Sequence, residues 1–174
     1  MPMHRDSWIA LDQRCTLSLN RASRSHLARG FFAAISKLGN GRFWYVLMAV
    51  LLLVFGRQAA PGVLHMALVG LVDLALYKWL KRATSRPRPF MRSPAIIRGC
   101  DVLDEYSFPS GHTLHAVGFS VVALSYFPFL APLLIPFTVL VAASRPVLGL
   151  HYPSDVLAGA AIGALVARLS FCLL

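Results

Sequence analysis

The chain has 174 residues, 57% of them hydrophobic and 14% charged, with a mean hydropathy of +0.63. Soluble domains carry about 25% charged residues, so this composition excludes a disordered chain, a small-core nucleic-acid module and most soluble enzymes. It points to one membrane-embedded domain. The net charge of +10, from 17 Lys and Arg against 7 Asp and Glu, then reads as positive-inside bias, contact with anionic headgroups or an anion site. Cys15, Cys100 and Cys172 lie far apart and imply neither a disulfide framework nor a zinc site. Met1–Arg42 is basic but has no continuous apolar core ahead of a cleavage site, so no secretory signal is expected.

Residues 1–42 form a basic N-terminal segment. Between Trp8 and Lys37, apolar clusters (Trp8, Ile9, Leu11; Leu27, Phe31, Phe32, Ile35) alternate with Arg14, Arg21, Arg24, Arg29 and Lys37. No run there approaches the roughly 20 residues that cross a bilayer. Amphipathic helices lying in the interface are expected, or a tail packed on the membrane domain. Residues 43–174 carry five apolar spans, Phe43–Phe55, Val63–Leu80, Thr113–Phe127, Phe129–Ala143 and Val156–Leu174. The first is short and bracketed by Arg42 and Arg57, with Trp44 and Tyr45 as an interfacial belt. The last contains Gly159 and Gly163 at a spacing that lets helices pack closely within the bundle. An all-α, multi-pass helical bundle is the expected fold. The long polar segment Lys81–His112 is the expected active-site loop, since loops of that length in compact domains are functional. Five spans put the N-terminus, this loop and Ser144–Asp155 on one membrane face.

Three blocks carry chemistry. The first, Lys81 to Pro89, includes Lys81, Arg82, Arg86 and Arg88, stiffened by Pro87 and Pro89; alone it could equally be a positive-inside anchor. The second, Pro109-Ser110-Gly111-His112, precedes an apolar helix. Ser110 is a natural N-cap there, and the free N–H groups of the helix end make an anion site with His112 at its mouth. In the third, Ser144-Arg145 is followed by His151 and, four residues on, Asp155. A carboxylate turned back toward the imidazole would take the Nδ1 proton and leave Nε2 as nucleophile or base. Cations with helix N–H groups bind an oxyanion, one histidine attacks, and the other supplies a proton. Metal binding is not expected: Asp155 is the one acid in the three blocks, and the arginines repel a cation.

Together the blocks resemble the type 2 phosphatidic acid phosphatase superfamily, the lipid phosphatases related to bacterial acid phosphatases and vanadium haloperoxidases. The family pattern is Lys-x6-Arg-Pro, Pro-Ser-Gly-His and Ser-Arg-x5-His-x3-Asp. The chain carries it as Lys81 to Pro89, Pro109 to His112 and Ser144 to Asp155, matching in residue, spacing and order. The resemblance implies that His151 attacks phosphorus to form a phosphohistidine and that Asp155 orients it. His112 protonates the leaving oxygen, while Lys81, Arg88, Arg145, the Ser110 hydroxyl and the Gly111 N–H hold the phosphoryl oxygens. It implies no cofactor and no metal. The chain departs from the commonest membrane members in lacking a first span ahead of Phe43.

The expected function is hydrolysis of a lipid phosphate or diphosphate in a bacterial inner membrane. Undecaprenyl diphosphate is favoured, with phosphatidylglycerophosphate or phosphatidate as the alternative. A vanadate-dependent oxidase and a non-enzymatic binder of anionic lipids are the readings from other classes. Membrane lipids are expected contacts and nucleic acid is not. Among other charged positions, Asp73 and His65 fall inside the second span and are expected to face the bundle interior, Asp73 in a structural hydrogen bond or an ion pair. Arg168 is expected to reach the far interface; Asp101, Asp104 and Glu105 could balance the basic loop or gate the entrance, and are expected first as solvated loop residues.

Overall fold

A computed structural model describes residues 3–102 and 104–173 of the chain. Among the described residues the structure is helical, with a single isolated bridge between Pro87 and Tyr106. The helices are α1 (Met3–Asn20), α2 (His26–Lys37), α3 (Phe43–Phe55), α4 (Ala60–Thr84), the short α5 (Pro89–Arg92), α6 (Gly111–Tyr126), α7 (Ala131–Val147) and α8 (Pro153–Ser170). The expected apolar segments all fall on α3, α4, α6, α7 and α8. By length and composition, two helical stretches can cross a membrane, one within 26–84 and the other Pro128–Val147.

Local chemistry sets the boundaries. Ser25 and Ser110 cap α2 and α6 by accepting the N–H groups of Ala28 and Thr113. Proline stands in the first turn of α4, α7 and α8, where its missing N–H costs nothing. Between α2 and α3 the chain kinks at Asn40 and Gly41, the latter at φ +99° with the Tyr45 ring 3.0 Å from where a Cβ would stand. Only glycine fits that bend without strain.

Side-chain contacts give the helix directions. Phe43 packs on Phe137 and Phe55 on Phe127 and Phe129, so α3 runs parallel to α6 and antiparallel to α7. Gly70 lies against Phe119 and Gly62 against Tyr126 and Phe127, so α4 runs back against α6. Gly159 meets the start of α6 and Gly163 the turn beyond it, so α8 runs with α6. A Cβ on Gly159 would stand 2.6 Å from the Ser110 carbonyl oxygen. The small-residue spacing therefore serves packing inside the bundle. Trp44, fully buried, fills the centre against Phe119 and Phe137. Apolar side chains also cover the outside: Leu53, Leu71 and Leu157 are 84%, 63% and 71% exposed, a surface suited to lipid rather than water.

The bundle has two unlike ends. At one, His65 bonds Tyr126 and Ser170. At the other lie the Lys81–His112 loop, the α7–α8 connection and the N-terminal helices. Here α1 is pinned down, because Asn20 donates to the Ile97 and Val147 carbonyls at 2.9 and 2.8 Å. Along the same two helices Trp8, Leu27 and Phe31 remain exposed. This segment thus packs on the rest of the bundle while part of its apolar surface stays exposed. Asp73 is corrected. It is fully buried, but among the described residues neither carboxylate oxygen has a hydrogen-bond or ion-pair partner; it sits against Gly118 of α6.

Candidate active site

Helix ends build the site. Lys81 occupies the last turn of α4, which stops at Ser85 in a left-handed conformation (φ 46°). The chain then doubles back: Pro87 bridges Tyr106 and Ser107 N–H donates to the Arg86 carbonyl at 2.8 Å. That fold-back stacks the first block on the second. At the end of α7, Gly149 (φ +71°) brings the backbone against Ile96 and Ile97, where a Cβ would stand 2.6 Å from Ile96 Cγ2 and 2.7 Å from the Ile97 oxygen. The turn delivers His151 to the same place.

One cavity of about 870 Å³ collects the result. Its polar end is lined by Lys81, Arg88, Gly111, His112, Arg145 and His151, and its walls run on to Tyr45 and Met48 of α3 and Leu71 and Leu74 of α4. Ser110 and Asp155 stand behind this lining. Ser110, placed among the phosphate ligands by the resemblance, is fully buried and its hydroxyl bonds Thr113 Oγ1 at 2.9 Å. Its observed work is capping α6, which leaves the first turn of that helix, with Gly111, facing the cavity.

The cations are not free. Asp104 Oδ1 accepts from Lys81 Nζ at 2.6 Å and Arg88 Nη2 at 2.7 Å. Asp104 is therefore not the solvated loop residue first expected but balances the basic loop, as the counter-ion of Lys81 and Arg88. Lys81 and Arg88 outweigh burial and hold its carboxyl below the usual range. Arg88 also donates to the Asp104 and Leu150 carbonyls and lies 3.2 Å from His151 Nε2. Arg145 is buried and donates to Ser36 Oγ of α2, while its Nε has no partner.

His151 is fixed by its neighbours. Nδ1 lies 2.6 Å from the Ser107 carbonyl oxygen, which can only accept. The proton is therefore assigned to Nδ1, and Nε2 keeps its lone pair toward Arg88. Direct capture by Asp155 is corrected: Oδ2 stands 3.8 Å from Nδ1 and accepts instead from Tyr152 N–H at 2.9 Å, while Oδ1 accepts from Arg86 at 2.6 Å. The backbone carbonyl sets the tautomer, and the carboxylate supplies a nearby charge. Burial pushes the Asp155 carboxyl up, opposed by Arg86. Burial drives His151 well below its usual value, with the charges of Arg145, Arg88 and Lys81 adding to it. His112 goes the same way through burial and then Arg145. Both shifts favour the neutral imidazole.

Two groups and one contact escaped the sequence reading: Asp12, the Ser107 carbonyl and the outward pairing of Arg86. Arg86 had appeared only as one more cation of its block. It turns away from the cavity to Asp155 and, through Nη2, to Asp12 of α1 at 2.7 Å. Its position beside Pro87 was the signal on offer, since a cation stiffened by a flanking proline holds one direction.

The family model of the PAP2 superfamily matches residues 62–174, and the chain belongs to that superfamily. It is 32% identical over 143 residues to an undecaprenyl-diphosphatase of Sulfolobus acidocaldarius, covering 81% of this chain and 68% of that one. Against other curated relatives it spans about half their length, 47%. Among solved structures it is similar to the transmembrane PAP2-type phosphatidylglycerolphosphate phosphatase from Bacillus subtilis, with a TM-score of 0.71, 26% identity, and 92% of this chain and 85% of that chain covered. It is also similar to Aquifex aeolicus LpxE, with a TM-score of 0.72, 25% identity, and 91% and 93% covered. The Bacillus protein is a transmembrane phosphatase, and this chain, a phosphatase of the PAP2 superfamily with apolar helices, is an integral-membrane protein.

Proposed function

We propose that this PAP2-superfamily protein hydrolyses a lipid phosphate or diphosphate at the membrane surface, with undecaprenyl diphosphate as the favoured substrate, in a bacterial inner membrane crossed by α3, α4, α6, α7 and α8. One observation carries the lipid reading: a single cavity joins the cluster of Lys81, Arg88 and Arg145 to apolar walls on α3 and α4. Tyr45 and Leu71, on those walls, are 69% and 63% exposed. A chain lying between α3 and α4 can thus remain in hydrocarbon while its phosphate sits among the cations. The prenyl diphosphate preference draws on the Sulfolobus relative, and the phosphatidylglycerophosphate alternative on the Bacillus structure.

The chemistry needs only this chain's residues and water. The phosphoryl oxygens replace Asp104 on Lys81 and Arg88, and Arg145 and the Gly111 N–H complete the cradle. As Arg88 turns to the phosphate it releases Nε2 of His151, which attacks phosphorus in line with the leaving oxygen. Positive charge then grows on the imidazole, balanced by the Ser107 carbonyl at Nδ1 and the Asp155 charge behind it. Burial first, and then Arg145 and the neighbouring cations, disfavour the charged form of His112 before substrate arrives. The anionic substrate cancels that field, so the imidazole takes up a proton and delivers it to the leaving oxygen. Neutral again, His112 draws a proton from the water that hydrolyses the phosphohistidine, and phosphate leaves. Most of the acceleration is electrostatic, from donors placed before the reaction.

The test is phosphate release by purified protein in detergent from undecaprenyl diphosphate, phosphatidylglycerophosphate and phosphatidate, together with acid-labile, base-stable labelling of the protein. Release from the prenyl diphosphate with the highest kcat/KM and a phosphohistidine absent from His151→Ala are the expected results. No release from any lipid in the panel would overturn the reading.

A further inference from the structure

Arg86 does not line the cavity, yet it is bonded more elaborately than most groups that do. Its Nη1 donates to Asp155 Oδ1 at 2.6 Å and to Ser154 Oγ at 2.8 Å, its Nη2 donates to Asp12 Oδ2 at 2.7 Å, and its plane covers the Tyr152 ring at 4.1 Å. Asp12 does more than close this fork. Its Oδ1 accepts the Ser154 N–H at 3.0 Å and its Oδ2 the Ser154 hydroxyl, which satisfies a free donor in the first turn of α8. The exposures run inward: Arg86 26%, Asp12 11%, Asp155 0%.

A guanidinium presents its donors in a rigid plane. Held by one carboxylate it can swing about that bond; held by two, from different helices, its plane is set. Asp155 cannot reach water, so it depends on Arg86 for its principal charged partner and moves where Arg86 moves. The other oxygen of Asp155 faces His151 Nδ1 at 3.8 Å, and small misplacements at such a distance are felt in the rate. The family match begins at residue 62, so Asp12 comes from a part of the chain outside it.

We infer that Asp12 of α1 is a positioning residue for catalysis: it clamps Arg86 so that Arg86 holds Asp155 in line behind His151. The N-terminal helix is thereby part of the catalytic machinery as well as a membrane-surface element. Asp12 touches neither substrate nor the cavity, so its effect falls on the reaction of bound substrate and not on binding. The inference rests on His151 being the attacking group.

The experiment is a mutant cycle on the full chain in detergent. Asp12→Asn keeps the size and an oxygen for the Ser154 N–H but removes the charge that Arg86 reads. Its expected effect is a fall in kcat of about tenfold with KM within twofold of wild type and an unchanged Tm. In an Asp155→Asn background, where Arg86 has already lost its inner charged partner, adding Asp12→Asn should change kcat by less than about twofold, because coupled residues are non-additive. Arg86→Lys, which reaches one carboxylate but not two, is the second arm, with the same loss and no further effect of Asp12→Asn upon it. Unchanged kcat in Asp12→Asn, a loss carried by KM, or the same factor lost in every background each overturns the inference. A wild-type enzyme that hydrolyses lipid phosphate without forming phosphohistidine strikes instead at the role of His151, and the cycle in kcat still reads the Asp12 coupling by itself.

Discussion

Asp104→Asn is the sharpest test of how the anion site works. Lys81 has three protons to donate and Arg88 five. Lys81 gives one to Asp104 Oδ1 and one to the Tyr106 carbonyl. Arg88 gives its protons to the Asp104 carbonyl and carboxylate, the Leu150 carbonyl and His151 Nε2. An arriving phosphoryl group therefore finds about one free proton on each cation unless Asp104 withdraws, and an Asp104 that stays repels it. Charge-assisted hydrogen bonds contribute about 1.5–3 kcal/mol each. The Asp104 side chain is 35% exposed, which discounts the pair toward the lower end. Asparagine keeps the shape and one neutral acceptor, so roughly 1.4 kcal/mol of competition is lost, about tenfold in anion affinity. The assay is inhibition by vanadate and by inorganic phosphate at pH 7, with both Ki values expected to fall about tenfold. Wild type should approach the mutant as pH falls, since Lys81 and Arg88 depress the Asp104 pKa and its charge is lost only when pH passes through that lowered value. A Ki that rises in Asp104→Asn would refute competition and make Asp104 a support for the cations.

Further outcomes separate the remaining roles. His112→Ala should lose about 10²–10⁴-fold on an alkyl lipid phosphate and far less on an aryl phosphate whose phenol leaves without a proton, while His151→Ala should lose both equally; kcat/KM for the two substrates is the readout, and equal losses in His112→Ala would sink its role as acid. Stability, followed by thermal unfolding in detergent, should decline as pH drops below about 6.5. His112 and His151 titrate lower in the folded chain than in the unfolded one, so unfolding takes up protons there and acid favours it. Gly159→Ala should lower stability by about 1–3 kcal/mol, because the added methyl meets the backbone at the Ser110 carbonyl, which has no rotamer to yield; an unchanged Tm would show that α6 and α8 separate freely.

The helices were legible because continuous apolar runs and proline or serine caps are local signals. Phe43–Phe55 matches α3 at both ends, and α4, α6, α7 and α8 differ from the sequence spans at their ends. The motif residues were legible for a different reason: their chemistry is narrow and their spacing regular. What stayed hidden lies between distant segments. Asp104 reaches Lys81 and Arg88 only because the loop folds back at the Pro87–Tyr106 bridge. The Ser107 carbonyl is backbone, which no residue code marks. Asp12 and Arg86 are brought together by the docking of α1 through Asn20, a contact that composition cannot foretell. Ser110 was legible as the N-cap of α6. Its motif position suggested a ligand, yet its hydroxyl is turned into the helix it caps.

These contacts together explain why so basic a site can run acid–base chemistry with two neutral histidines. Lys81, Arg88 and Arg145 crowd the cavity that His112 and His151 share, and Asp104 compensates only the first two. Burial first, and then the nearby cations, disfavour both imidazolium forms, which on the proposed mechanism leaves His151 the lone pair for attack and His112 without the proton for the leaving group. On that mechanism a dianionic phosphate would offset the cations at His112 and draw Arg88 off Nε2. Acid and nucleophile are thus prepared by the same binding event, and neither is spent on water beforehand. A neutral lipid headgroup does neither, so the site discriminates by charge before the shape of the headgroup matters.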